Sequence, residues 1–163
     1  ALPLVIDADG LNALPPMLDA LKRRGGPTVL TPHPGEFARL LGCDIPQVQA
    51  NRQDLAVRFT AEHGVVVVLK GHRTVVSDGR RVYVNGTGNP GMATGGTGDV
   101  LTGLTAALLG QQLAPFDAAV LAVYLHGLAG DLACDALGET SLIATDLLEY
   151  LPQAFRAHLA ARH

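Results

Sequence analysis

The sequence predicts an α/β fold with a mostly parallel sheet flanked by helices, and three observations carry that reading. Short apolar runs alternate with helix-length segments through the first half of the chain. Val65 to Leu69 is an unbroken apolar run, the pattern of a strand covered on both faces. Beyond a single hairpin around Asp78-Gly79 the chain reads as helix alone. Few strands with many apolar helices suggest that part of the sheet lies outside this chain.

In order, Pro3 to Asp7 reads as a short buried strand. A helix from about Leu11 to Arg24 follows, restarting at Pro15-Pro16 and ended by Gly25-Gly26-Pro27. Thr28 to Thr31 is the next strand, and Pro32 to Gly35 a turn. Glu36 to Leu41 reads as a short helix and Pro46 to His63 as a longer one. Thr74 to Ser77 and Arg81 to Asn85 form a hairpin, since Asp78-Gly79 supplies the positive φ that a tight turn needs. Gly86 to Gly98 is a glycine-rich loop. Helices are expected over Asp99 to Leu109, Pro115 to Leu137 and Thr145 to Leu159, the last broken at Pro152.

The 163 residues suggest one domain, 1–163, able to bury a core. Hydrophobic residues make up 48% and charged residues 17%, so either the interior is large for the length or an apolar face meets a partner. A net charge of −3, with no Lys/Arg run longer than two, argues against nucleic-acid binding. Cys43 and Cys134 have neither metal nor disulfide spacing, which reads as buried reduced thiols in a reducing, cytoplasmic compartment. No uninterrupted run reaches the ~18 apolar residues of a membrane span. The chain opens at Ala1 almost directly into a strand, so upstream sequence is expected.

The chemistry concentrates in Gly95-Gly96-Thr97-Gly98-Asp99. Glycines let a backbone approach a ligand closely, and amides gathered at a helix start make an anion hole. A carboxylate in that first turn is held ionised by the helix dipole and can take a proton from an attacking hydroxyl, the kind of help phosphoryl transfer uses. The competing reading makes Asp99 a helix-stabilising residue only. Likewise Lys70 to Thr74 is either a solvated turn or a phosphate-binding strand end. His33 is either a solvent-facing turn residue or a ligand contact, and Glu36 either favours a helix dipole or binds a metal. Asp7, Asp9 and Asn12 either reach the same crevice or cap the first helix; Asn12 is the better ligand candidate and Asp9 the better cap. His126, in an apolar helix, reads as a packed core histidine, and His63, His72, His158 and His163 as surface residues. Met17 and Met92 need no role beyond packing.

The run Asn89-Pro90-Gly91-Met92-Ala93-Thr94-Gly95-Gly96-Thr97-Gly98-Asp99-Val100-Leu101-Thr102-Gly103 closely resembles the signature of the ADP/ATP-dependent NAD(P)H-hydrate dehydratases of the ribokinase-like superfamily. Asp7-Ala8-Asp9-Gly10-Leu11-Asn12, Thr31 to Glu36, Lys70 to Thr74 and Tyr124 to Asp131 resemble further elements of that family in the same order. The resemblance implies a ribokinase-like fold incomplete at its N-terminus. It also implies a lyase activity in which ADP or ATP, with Mg²⁺, phosphorylates the ring hydroxyl of hydrated NADH or NADPH and phosphate then leaves. Asp99 is the implied base and substrate contact. Gly96, Thr97 and Gly98 would form the anion hole. Lys70, Gly71, His72, Arg73, Thr74 and Gly98 would bind nucleotide, and His33 and Asn12 the substrate. Glu36 would organise Mg²⁺ through water. The resemblance further implies a homo-oligomer and, upstream, an epimerase domain or partner. A related small-molecule kinase and a non-catalytic nucleotide-binding module are the alternatives; the Asn-Pro-Gly-Met-Ala-Thr prefix argues against the kinase.

Overall fold

The computed structural model describes residues 1–161; His163 lies outside the described residues. Strands β1 (Leu4–Ile6), β2 (Thr28–Leu30), β3 (Val66–Leu69), β4 (Val75–Ser77) and β5 (Val82–Val84) form one sheet in sequence order. The β1–β2 and β2–β3 pairings are parallel, with Val5 opposite Val29 and Leu30 opposite Val67. The β3–β4 and β4–β5 pairings are antiparallel, so the sheet is mixed and the expected parallel order holds for its β1–β3 half. The reason is the hairpin: a two-strand return without a crossover helix must run antiparallel. Its turn forms as expected, with Gly79 at φ +87° and Asp78 Oδ1 accepting from the amides of Arg80 and Arg81 (3.0 and 2.7 Å).

The remaining elements are α1 (Asp9–Ala13), α2 (Asp19–Arg23), α3 (Pro34–Leu41), α4 (Ile45–Ala50), α5 (Arg52–His63), α6 (Thr97–Gly110), α7 (Pro115–Leu137) and α8 (Ala144–Ala160). Alternate residues of β3 explain how the unbroken apolar run is used. Val66 and Val68 point into a core built with α6, α7 and α8, while Val67 and Leu69 point into a second core with α1, α3, α4 and α5. The 23-residue α7 is long and apolar enough by composition to cross a membrane. Here it packs against α6, α8 and the sheet, and Ala118, Ala119, Ala122, Leu125, Ala129 and Ala133 are fully buried.

Three helix expectations need correction. The Leu11–Arg24 helix is split into α1, a 3-10 turn at Pro15–Met17 and α2, because two successive prolines remove two amide donors. The Pro46–His63 helix is split at Asn51, whose backbone leaves the helical region (φ −133°, ψ 35°) while its side-chain amide donates to the Gln47 carbonyl (3.2 Å). Conversely, Pro152 does not break α8. The carbonyl it deprives is that of Leu148, a residue 52% exposed, so water can take the missing donor's part. His63, read as a surface residue, is buried against Phe59, with ring centroids 4.4 Å apart. Cys43 and Cys134 are free and only half-buried.

Candidate active site

Parallel order puts the carboxyl ends of β1, β2 and β3 on one edge of the sheet, the edge where open α/β sheets bind ligands. The next residues, Asp7, Thr31 and Lys70, therefore arrive together. Lys70 Nζ donates to Asp7 Oδ1 at 2.8 Å, and Thr102 of α6 donates to Asp7 Oδ2 at 2.6 Å. The Thr31 and Thr102 hydroxyls lie 3.5 Å apart. The Lys70 amide donates to the Pro32 carbonyl (2.8 Å), which brings the turn carrying His33 to the same edge.

Burial would raise the Asp7 carboxyl, but hydrogen bonds from Lys70 and Thr102, and the Lys70 charge, outweigh it and hold the group below its usual value of 3.8. A depressed carboxylate contributes stability above the ordinary carboxylate pKa and loses it as pH falls through the depressed folded value. Lys70→Met leaves Asp7, whose side chain is 10% exposed, without its cation. The expected cost is about 2 kcal/mol near neutral pH. The gap to wild type closes as pH drops below the usual carboxylate range. Urea unfolding at about pH 7 and about pH 3 measures both values, and a gap that persists in acid refutes the pairing argument.

Lys70 also reaches the start of α6. A Cβ placed on Gly98 would sit 3.4 Å from Lys70 Nζ, so the ammonium stands beside the start of α6. No side chain caps that helix, and its first intrahelical bond runs from the Val100 amide to the Gly96 carbonyl (3.2 Å). The amides of Thr97, Gly98 and Asp99 precede that bond and have no partner within the helix. Gly96 takes φ +91°, which turns the chain into the helix, and a side chain there would also press on Ala144 Cβ at 3.1 Å. Asp99 lies exposed in the first turn, outside the packed interior. Thr97 contributes through its backbone, because its buried hydroxyl donates to the Met92 and Thr94 carbonyls (2.9 and 3.0 Å).

Helix α7 is the seat of the loop. A Cβ on Gly127 would lie 2.2 Å from Thr87 Oγ1, and one on Gly130 2.2 Å from Met92 Sδ, so both glycines exist to admit loop atoms. Asp131 accepts from the Gly88 amide (2.8 Å) and from the Asn89 side chain (3.0 Å). The Tyr124 carbonyl accepts from Thr87 Oγ1 (2.9 Å), and His126 Nε2 meets the Thr97 carbonyl at 2.8 Å. Met92 thus fills the space over Gly130, in keeping with its expected packing role.

The other expected site residues fall in two groups. His33 caps α3: its Nδ1 accepts from the Gly35 and Glu36 amides (2.9 and 3.2 Å), and its Nε2 lies 3.4 Å from Glu36 Oε1 on a ring that is 52% exposed. The 70–74 turn faces two ways. Lys70 points at α6, while His72 and Arg73 line a ≈570 Å³ open concavity with Arg52 and the neighbouring residues. Thr74 Oγ1 donates to the Gly71 carbonyl (3.0 Å), and Arg52 supports the turn by donating to the carbonyls of Leu69 (2.8 Å) and Lys70 (3.2 Å).

Three acidic or amide residues of the first half have defined partners or places in the fold. Glu36 is buried, its carboxylate accepting from the His33 amide at 2.7 Å as the return half of the cap. Among the described residues no group of three His, Cys, Asp or Glu side chains could cage a metal. Asn12 has its side-chain oxygen engaged by Arg39 Nη1, on the flank of α3. Asp9 does not cap: α1 begins at Asp9 after Ala8 (φ 47°), without a side-chain cap.

Residues 1–153 match the NAD(P)H-hydrate dehydratase family. The chain belongs to that family. It is 52% identical over 156 residues to the bifunctional NAD(P)H-hydrate repair enzyme of Moorella thermoacetica, covering 94% of this chain and 29% of that protein. It is 45% identical over 139 residues to the ADP-dependent (S)-NAD(P)H-hydrate dehydratase of Neisseria meningitidis, covering 83% and 47%. The Bacillus subtilis ADP/ATP-dependent NAD(P)H-hydrate dehydratase, co-crystallised with ATP/Mg²⁺, superposes with a TM-score of 0.83 at 37% identity, covering 95% of this chain and 55% of that one. The fold is therefore ribokinase-like, and the chain spans under half the length of these curated relatives.

Proposed function

We propose that residues 1–163 are the C-terminal portion of a catalytic domain that dehydrates (6S)-NAD(P)H hydrate, with ADP or ATP as phosphoryl donor. The observation that carries the proposal is the convergence of Lys70 Nζ on Gly98 at an uncapped helix start, beside the exposed Asp99 carboxylate. In this reading Asp99 takes the proton of the ring hydroxyl as that oxygen attacks the terminal phosphorus. The amides of Thr97, Gly98 and Asp99 and the Lys70 ammonium hold the charge on the transferring phosphoryl, with Gly96 shaping the approach. The ring C–O bond then breaks with phosphate as leaving group, a ring proton is lost, and the reduced nicotinamide is restored; from ADP the other product is AMP.

The turn Lys70, Gly71, His72, Arg73, Thr74 would track the nucleotide from its phosphates toward the concavity beside Arg52. His33 Nε2 would meet the hydrated nicotinamide nucleotide, and Asn12 its periphery. Glu36, through water, would help hold Mg²⁺, which would supply positive charge beside the nucleotide phosphates. Mg²⁺ keeps much of its hydration in such sites.

A homo-oligomer is part of the same proposal, supported by Leu148 and Leu159, exposed about three turns apart on one side of α8. An upstream epimerase domain or partner and a cytoplasmic, reducing setting complete it, in keeping with the bifunctional Moorella relative and the free Cys43 and Cys134.

The test is turnover: hydrated NADH with ADP and Mg²⁺ is expected to yield reduced nicotinamide with AMP and phosphate in equal amounts. Accumulation of a stable phosphorylated alcohol would reassign the site to a small-molecule kinase. Nucleotide binding without turnover would make it a binding module.

A further inference from the structure

We infer that His126 is a positioning residue for the anion hole: by donating from Nε2 to the Thr97 carbonyl it polarises the Gly98 amide. The Thr97 carbonyl and the Gly98 N–H belong to one planar peptide unit, so charge drawn onto the oxygen is felt at the hydrogen. A chain thus runs from the His126 Nε2–H through the Thr97 carbonyl and Gly98 N–H to the bound anion, and hydrogen bonds in such chains strengthen one another. The 2.8 Å contact comes from α7, which packs against α6 and the sheet, and it acts on the peptide unit that joins Thr97 to Gly98, where a Cβ on Gly98 would meet Lys70 Nζ at 3.4 Å. A carbonyl can only accept, so the ring must carry its proton on Nε2. Burial in the α7 core pushes the His126 pKa down to about 4, against a smaller opposing effect of the Thr97 hydrogen bond, so the ring is neutral over the pH range in which the carboxylates are ionised. This role rests on the proposed phosphoryl site, but the hydrogen bond and its effect on Gly98 exist without any substrate.

The test separates the two. The ¹⁵N and ¹H shifts of the Gly98 amide are recorded near neutral pH for wild type, His126→Leu and His126→Gln. Both variants lose the ring, and only Gln can donate from a position near that of Nε2. The Gly98 resonance is expected to stay near wild type in His126→Gln and to move upfield in His126→Leu. ADP–Mg²⁺ affinity should fall about fivefold in His126→Leu and recover in His126→Gln. The same Gly98 shift and ADP affinity in the two variants would overturn the inference. Should His126→Leu fail to fold, the wild-type ring nitrogens decide: a proton found on Nδ1 instead of Nε2 overturns it, and Nε2–H coupled to the Thr97 carbonyl supports it. Failure of wild type to turn over hydrated NADH, with the Gly98 response intact, would remove the dehydratase reading and leave this one standing.

Discussion

Asp99→Asn is expected to lower kcat by about 10³-fold while leaving ADP affinity within about twofold of wild type. Asn keeps the size of the side chain and the backbone amide proposed to hold the phosphoryl; it removes the carboxylate charge and with it the ability to take a proton. Asp99 is exposed and lies in the first turn of α6, so the exchange should shift stability by under about 0.5 kcal/mol. That leaves a pure catalytic signature: the protein folds, nucleotide binds, and chemistry stops. Steady-state turnover with titration calorimetry of ADP–Mg²⁺ measures both halves. Unchanged kcat would remove Asp99 from the chemistry, whereas equal losses in kcat and ADP affinity would make it a contributor to binding.

The second large effect is expected far from any ligand. Gly127→Ala places a Cβ 2.2 Å from Thr87 Oγ1, 2.7 Å from its carbonyl carbon and 2.8 Å from its carbonyl oxygen. A rotamer change of Thr87 relieves the first contact but not the other two, which are backbone. Either α7 retreats from the sheet or the loop lifts off α7. Overpacking of this kind costs about 2 kcal/mol, a fall in Tm of roughly 4–8 °C for a chain of this length. Because the same loop leads into Gly96 and Gly98, ADP affinity should fall with it. Gly103→Ala is the internal comparison: nothing lies within 4 Å of its added Cβ, so α6 should be unharmed. A Gly127→Ala protein with wild-type Tm and affinity would refute the seating of the loop on α7.

Much of this was legible in the sequence. Val65 to Leu69 declared a doubly covered strand because five apolar residues leave no face for water, and Asp78-Gly79 declared its turn. Gly-Thr-Gly-Asp announced a helix start, and α6 begins there at Thr97 with no side-chain cap and with Asp99 exposed in its first turn. What could not be read are the long-range partnerships. Asp7 pairs with Lys70 and Thr102, residues 63 and 95 positions away, and no local pattern encodes such a triad. Glu36 shows the same limit: its acidic side chain suits a helix start in any sequence, and only the folded backbone brings the His33 amide to it. Arg52 was missed altogether, because an arginine at a helix start looks like a surface residue until the carbonyls of Leu69 and Lys70 are found beneath it. His126 and the two glycines after it carried the one overlooked signal: glycines three apart beside a histidine, in the interior of a helix that has no other glycine.

The way α7 receives the glycine-rich loop also limits how the proposed chemistry can be moved between proteins. A graft of residues 86–99 onto a foreign scaffold would bring amides and a carboxylate but nothing to fix their aim, since the clefts at Gly127 and Gly130 and the Asp131 anchor belong to a different stretch of chain. The smallest transplantable unit is the loop together with its helical bed. Lineages that alter one are expected to carry matching changes in the other.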